Sequence, residues 1–171
     1  ISGLLKTDNG EIYFKGENIT GSPANERTLK GISRTFQLIR LFPGLTVLDN
    51  LLVVLEKPYQ KLRHAFIKPK KELRKIHDRA FEYLREVNLE NHAHSYARNL
   101  SYGQQKLLEI IRAVATEADL LMLDEPAAGV NPTMLRHIEK LILKLHDEGR
   151  TIFIVEHNMP FIMKLCHEII V

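Results

Sequence analysis

Two short apolar runs, LLMLD (Leu120–Asp124) and TIFIV (Thr151–Val155), constrain the fold of this chain more than any other feature. Both are continuous rather than alternating, the pattern of strands covered on both faces. Between them, PTMLRHIEKLILKLHDEG has helical spacing, with Pro132 near its start and Gly149 at its end. Proline lacks the N–H that a first helical turn leaves unused, and glycine ends a helix without steric cost. Strand, helix and strand in this order predict a βαβ unit with parallel strands and a right-handed crossover. The fold class expected is therefore α/β with a parallel sheet, and 171 residues suffice for one domain with a real core.

Upstream, DNGEIYFKGENI places the turn pair Asn9-Gly10 and then Gly16 around the β-prone Ile12, Tyr13 and Phe14, which predicts strands with tight turns. SPANERTLKG predicts a short helix with Ser22 as N-cap, Pro23 at its first position and Gly31 at its end. SRTFQL predicts a strand running to Gln37. Residues 46–56 carry Val47, Leu48, Leu51, Leu52 and Leu55 at helical spacing. Between residues 70 and 89 the stripe Leu73, Ile76, Ala80, Leu84 and Val87 predicts a long amphipathic helix. A further helix is expected from Ser101 to about Thr116, another over MPFIMKLC, and a last strand at EIIV.

Composition narrows the class. The chain is 44% hydrophobic and 26% charged, which fits a globular domain. No apolar run approaches the roughly 20 residues of a membrane-spanning helix. Its one cysteine, Cys166, excludes an internal disulfide and lies in an apolar-rich segment that suits a packed thiol. The net charge of +3 is concentrated in residues 57–64 and 68–75. Such runs can touch phosphate or anionic lipid, but the expected reading is a solvated helix face. ISGLLK has neither the charged region nor the cleavage pattern of a signal peptide. A start at Ile1 and an end at EIIV are read as those of an internal piece of a longer protein, truncated at both ends.

The chemistry concentrates at strand ends. LLMLDEP delivers Asp124 and Glu125 at the carboxyl end of a buried strand, where ligands bind in open α/β sheets. One acid can hold a Mg²⁺ hydration shell and the other can polarise an attacking water. Pro126 suits an ordinary strand end equally well. TIFIVEHN ends in Glu156 and His157, and if the two strands are neighbours, His157 lies near Asp124 and Glu125. Gln37 is an amide at a strand end, able to bind Mg²⁺ through oxygen or orient water. His92 and His94 lack a third ligand for a metal site. In LSYGQQK, Ser101 and Gln104 have the spacing of a capping box. The same helix start offers N–H groups to an anion, and Gly103 has no side chain to keep one away.

In order, these segments resemble the ATP-binding subunit of ABC transporters. RTFQ resembles the Q-loop with Gln37, and LSYGQQK resembles the signature LSGGQ, with Tyr102 in place of the first glycine. LLMLDEP resembles the Walker B strand, AAGVNP stands at the D-loop position, and VEHN is similar to the switch-histidine segment. The resemblance implies a P-loop NTPase core at residues 1–37 and 117–171, with an inserted helical subdomain at 38–116. It also implies the substrate ATP and the metal Mg²⁺. Asp124 would hold Mg²⁺ through water, Gln37 would contact metal and water, Glu125 would be the general base and His157 would bind the γ-phosphate. Ser101, Gly103 and Gln104 would bind the ATP of an opposite subunit.

Finer detail, including RTFQLIRLFPGLTVLDNLLV and DEPAAGVNP, resembles the ATPases of branched-chain amino acid importers. The alternatives are lipopolysaccharide-export, amide or urea systems, a soluble ABC ATPase, or a non-catalytic nucleic-acid binder. The basic segments have only Tyr59 and Phe66 nearby for base stacking, so no nucleic acid partner is expected. The partners implied are a second ATPase subunit, transmembrane permease subunits and, indirectly, a solute-binding protein. The implied location is the cytoplasmic face of the cell membrane. The family's phosphate loop, G-x-x-x-x-G-K-[ST], does not occur; GENITGSP has the two glycines but continues Ser22-Pro23. Charge-assisted phosphate bonds contribute roughly 1.5–3 kcal/mol each. Loss of about three lowers ATP affinity by about three to six decades. The 171-residue chain alone is therefore expected to release no phosphate from ATP above a Glu125→Gln control, and turnover above that control would refute the expectation.

Overall fold

The apolar runs form neighbouring strands. In the computed structural model, which describes residues 1–56 and 70–170, β1 (Tyr13–Phe14) and β2 (Glu17–Asn18) make an antiparallel hairpin. Its two turn residues, Lys15 and Gly16, have φ of 51° and 80°. Positive φ at both positions matches the right-handed twist of the flanking strands. Next come α1 (Ala24–Leu29), β3 (Ile32–Arg34), α2 (Val47–Leu55) and α3 (Lys70–Glu86). Two single-turn helices at 90–92 and 97–99 lead to α4 (Tyr102–Val114), β4 (Leu120–Asp124), α5 (Pro132–Asp147), β5 (Thr151–Val155) and α6 (Met159–Leu165). The main sheet is parallel with order β3-β4-β5, aligning Ile32 with Leu120 and Asp124 with Val155. The carboxyl ends of all three strands thus lie side by side.

Helix α4 is the centre of the molecule. Leu107, Leu108, Ile110 and Ile111 are fully buried, covering more than one face of the helix. One contiguous core joins them to Val47 and Leu51 of α2, Leu84 of α3, Leu121 and Leu123 of β4, Ile138 of α5 and Phe161 of α6. Among the described residues, capping boxes start two of the helices. Thr46 accepts from the Asp49 N–H, and Asp49 accepts from the Thr46 N–H. Ser101 and Gln104 make the same reciprocal pair at α4, as their spacing predicts.

The structure departs from expectation at four places. Pro23, not Ser22, caps α1, and no side chain satisfies the first turn. The carbonyl of Ser22 instead accepts from Arg27, a buried guanidinium that also bonds the carbonyls of Ile1 and Thr20. Strand β3 stops at Arg34, so Gln37 does not lie on it. After a last ladder bond from the Thr35 N–H to Met122 O (2.9 Å), the backbone turns toward α4, where Lys106 bonds Phe36 O. Strand β5 is not covered on both faces, since Phe153 and Val155 are 41% and 49% exposed. EIIV forms no strand over 168–170, and among the described residues no strand pairs with it; Val171 lies outside them.

The amphipathic helix α3 buries Ala80 and Leu84, while residues 70–75 are exposed. The basic residues described there form a solvated face; the run at 57–64 lies outside the described residues. Deleting a buried branched side chain removes its transfer energy and leaves a cavity. Ile111→Ala in the full-length protein is expected to cost about 2–5 kcal/mol. Thr46→Ala, which loses a cap, should cost about 1 kcal/mol. Urea unfolding measures both, and equal costs would contradict the central place of α4.

Candidate functional site

Parallel pairing brings three loops to one edge of the sheet. The Glu125 N–H, one residue beyond β4, still bonds Val155 O at 2.9 Å. The chain then breaks away, with Glu125 at φ 46°, in the left-handed region. For a residue with a Cβ that conformation costs about 1–3 kcal/mol and persists only where surroundings enforce it.

The carboxylate of Glu125, 18% exposed, receives two neighbours. Gln37 Nε2 donates to Oε2 at 3.3 Å, and His157 Nε2 lies 3.0 Å from Oε1. A carboxylate only accepts, so this contact requires a proton on His157 Nε2. The imidazole itself is 77% exposed and can turn toward a ligand. A half-buried carboxylate, with an amide on one oxygen and an exposed imidazole on the other, has the parts to hold and deprotonate a water.

Asp124 sits beside it but faces elsewhere. Its Oδ2 accepts from Arg34 at 2.8 Å, and its N–H donates to Thr35 Oγ1 at 3.1 Å. Among the described residues no cluster of three or more His, Cys, Asp or Glu could cage a metal. Mg²⁺ does not need such a cage. It takes one or two protein carboxylates and completes its shell with water or phosphate oxygens. Asp124 fits as such a hard donor, provided it is shared with Arg34.

Glu156 has a task that the sequence reading did not assign. Its Oε1 accepts from the Ala127 N–H at 2.7 Å, and its Oε2 accepts from the N–H groups of His157 (2.9 Å) and Asn158 (3.0 Å). One carboxylate thus ties the loop after β4 to the loop after β5. The available signal was an acid just before a helix start, with Asn158 capping α6 through its bond to the Phe161 N–H.

Ser101, Gly103 and Gln104 form a separate group. Among the described residues, no hydrogen bond or ion pair joins them to Asp124, Glu125 or His157. Gly103 is buried, and a Cβ there would meet Met134 Cγ at 3.0 Å, so its missing side chain makes room for α5. Gln104 uses its amide oxygen on the Ser101 N–H at 3.0 Å, and its Nε2 lies 3.2 Å from His92 Nε2. That assignment makes Gln104 the donor and leaves His92 Nε2 unprotonated. Tyr102, at the position of a glycine in the signature it resembles, lays its ring against Gly129, whose φ is 69°.

The ABC transporter family matches residues 1–128. The probable branched-chain amino acid transport ATP-binding protein LivG of Archaeoglobus fulgidus is 37% identical over 172 residues, which cover 100% of this chain and 67% of the relative. The chain belongs to the ABC transporter family. The high-affinity branched-chain amino acid transport ATP-binding protein BraF of Pseudomonas aeruginosa is 38% identical, over 100% of this chain and 69% of its own. This ABC chain thus spans about two thirds of the relatives' length. Its fold matches a dimeric post-hydrolysis state of the ATP-binding cassette MJ0796 bound to ADP and Pi, with TM-score 0.78 and 27% identity over 94% of this chain and 68% of the other.

The contact between Tyr102 and Gly129 is directly testable. A Cβ at Gly129 would lie 3.0 Å from the Tyr102 ring and would take a left-handed conformation. Gly129→Ala in the full-length ABC protein should cost about 1–2 kcal/mol from backbone strain alone. The ring clash adds to this, and a Tyr102→Gly background should remove only the clash. A double-mutant cycle on denaturant midpoints measures that difference; additive costs would mean that the two residues do not meet.

Proposed function

We propose that this chain carries the hydrolytic residues of the ATP-hydrolysing subunit of an ABC importer for branched-chain amino acids. The single observation that carries this reading is the Glu125 carboxylate held between Gln37 and His157 at the carboxyl ends of parallel strands. The names of LivG and BraF supply the solute class.

Glu125 is the general base that takes a proton from water as its oxygen attacks the γ-phosphate of ATP. Gln37 holds that water and the carboxylate in register. His157 swings its exposed imidazole from Glu125 to the γ-phosphate, which its Nε2–H can bond. Asp124 and the amide oxygen of Gln37 would hold Mg²⁺, whose charge offsets the charge of the phosphates. Ser101, Gly103 and Gln104 bind ATP held mainly by a second ATPase subunit, so hydrolysis requires a dimer. The helical subdomain at 38–116 docks on permease subunits, and the core at 1–37 and 117–171 binds nucleotide. A solute-binding protein delivers the amino acid from the far side. Among the described residues, no helix is long and apolar enough to cross a membrane. In this reading the subunit attaches to the cytoplasmic face of the membrane through the permease.

Two variants of the full-length protein test the assignment. Glu125→Gln keeps shape and removes the base; phosphate release should fall by about 10²–10⁴-fold while ATP still binds. Ser101→Arg should abolish hydrolysis and spare ATP binding by the monomer. Wild-type turnover in Glu125→Gln would overturn the base assignment, and loss of ATP binding in Ser101→Arg would mean that Ser101 belongs to the wrong site.

A further inference from the structure

Helix α4 carries three charged side chains, Lys106, Glu109 and Arg112, to which the reading above assigns no task. They recur every three residues. Lys106 is 0% exposed and Glu109 5%, in a helix whose other inward positions are apolar. Burying a charge is costly unless it is well paired. The pairing within α4 is weak, because Lys106 Nζ lies 3.8 Å from Glu109 Oε2 and that oxygen has no hydrogen-bond partner.

Their stronger partners lie on one short stretch of backbone. Lys106 Nζ donates to Phe36 O at 3.4 Å. Glu109 Oε1 accepts from the Arg40 N–H at 3.0 Å, and Arg112 donates to Arg40 O at 2.8 Å. The Arg40 guanidinium in turn lies 3.9 Å from the centre of the Phe36 ring, closing the stretch on itself. Residues 36–40 belong to no helix or strand. The stretch is therefore clamped at both ends by side chains of α4, and Gln37 lies within it.

We infer that Glu109, supported by Lys106 and Arg112, is a positioning residue that sets Gln37 against Glu125. This rests on the hydrolytic reading above. The clamp makes the Gln37 segment and α4 one body. Because Ser101 caps the start of α4, a displacement of the signature end is delivered to Gln37 and so to the 3.3 Å contact with Glu125. Burial pushes the Glu109 carboxyl up from its ordinary value, against the pull of the Arg40 N–H and the Lys106 charge. A neutral amide oxygen is thus a fair substitute acceptor, which makes Glu109→Gln the rescue variant.

The test uses the full-length protein, with ATP turnover, ATP binding, thermal midpoint and hydrogen exchange at the Arg40 amide as readouts. Glu109→Ala should expose the Arg40 amide to exchange and lower kcat by about 10–100-fold, since a misplacement of about 1 Å can cost 10²-fold. The KM for ATP should stay within about twofold, because uniform binding is untouched. Glu109→Gln should restore kcat to within a few-fold. Arg112→Ala, at a half-exposed position, should lower kcat in the same direction, and it supplies the test if Glu109→Ala does not fold. Wild-type kcat in Glu109→Ala, or Glu109→Gln as impaired as Glu109→Ala, overturns the inference. So does loss of ATP binding in step with the thermal midpoint. A wild-type protein without turnover overturns the functional reading and this inference with it; turnover that Glu109→Ala fully retains overturns this inference alone.

Discussion

Parallel pairing of β4 with both β3 and β5 is the constraint on which the rest depends. Parallel strands end on the same side, so Thr35, Glu125 and the Glu156-His157 pair converge without any long-range design of side chains. An antiparallel β5 would carry His157 to the opposite edge. The crossover through α5 makes the pairing possible, and the apolar run of β4 makes it stable. What remains for the site is local: Glu125 must leave the ladder at the right residue. It does so by accepting a left-handed backbone while its N–H still holds Val155 O.

The second support is α4, which is both the core of the fold and a carrier of charge. Its apolar side chains bind the helical middle of the chain to the sheet, and its polar ones hold the backbone of residues 36–40. Buried charges would be a liability in a helix with only structural duties. Spent on main-chain groups of an irregular segment, they replace the ladder bonds that the segment gave up on leaving β3.

Legibility followed the range of the interactions. Strands β4 and β5, helix α5 and both halves of the Ser101–Gln104 box were readable because each rests on residues close in sequence. The exposure of Phe153 and Val155 was not, since an apolar run looks the same at a sheet's centre and at its edge. The end of β3 was misplaced because Lys106, about 70 residues later, takes the carbonyl of Phe36. Pro23 displaced Ser22 as cap because Arg27 draws the Ser22 carbonyl into the core. At the site, Glu125, His157 and Gln37 were singled out from strand ends and from family resemblance. Their mutual geometry needed the sheet. Glu109 left one trace, an acid between Leu108 and Ile110 in an otherwise apolar stretch, and its target could not be read from that.

Glu156 gives the two loops it joins a shared fate. Its carboxylate is acceptor to three N–H groups from two chain segments, so neither loop can rotate its peptides without surrendering bonds that serve the other. The backbone of His157 is thus joined to that of Ala127 through a single side chain. Mechanically, the loop after β4 and the loop after β5 are one jointed part with a carboxylate as its pin.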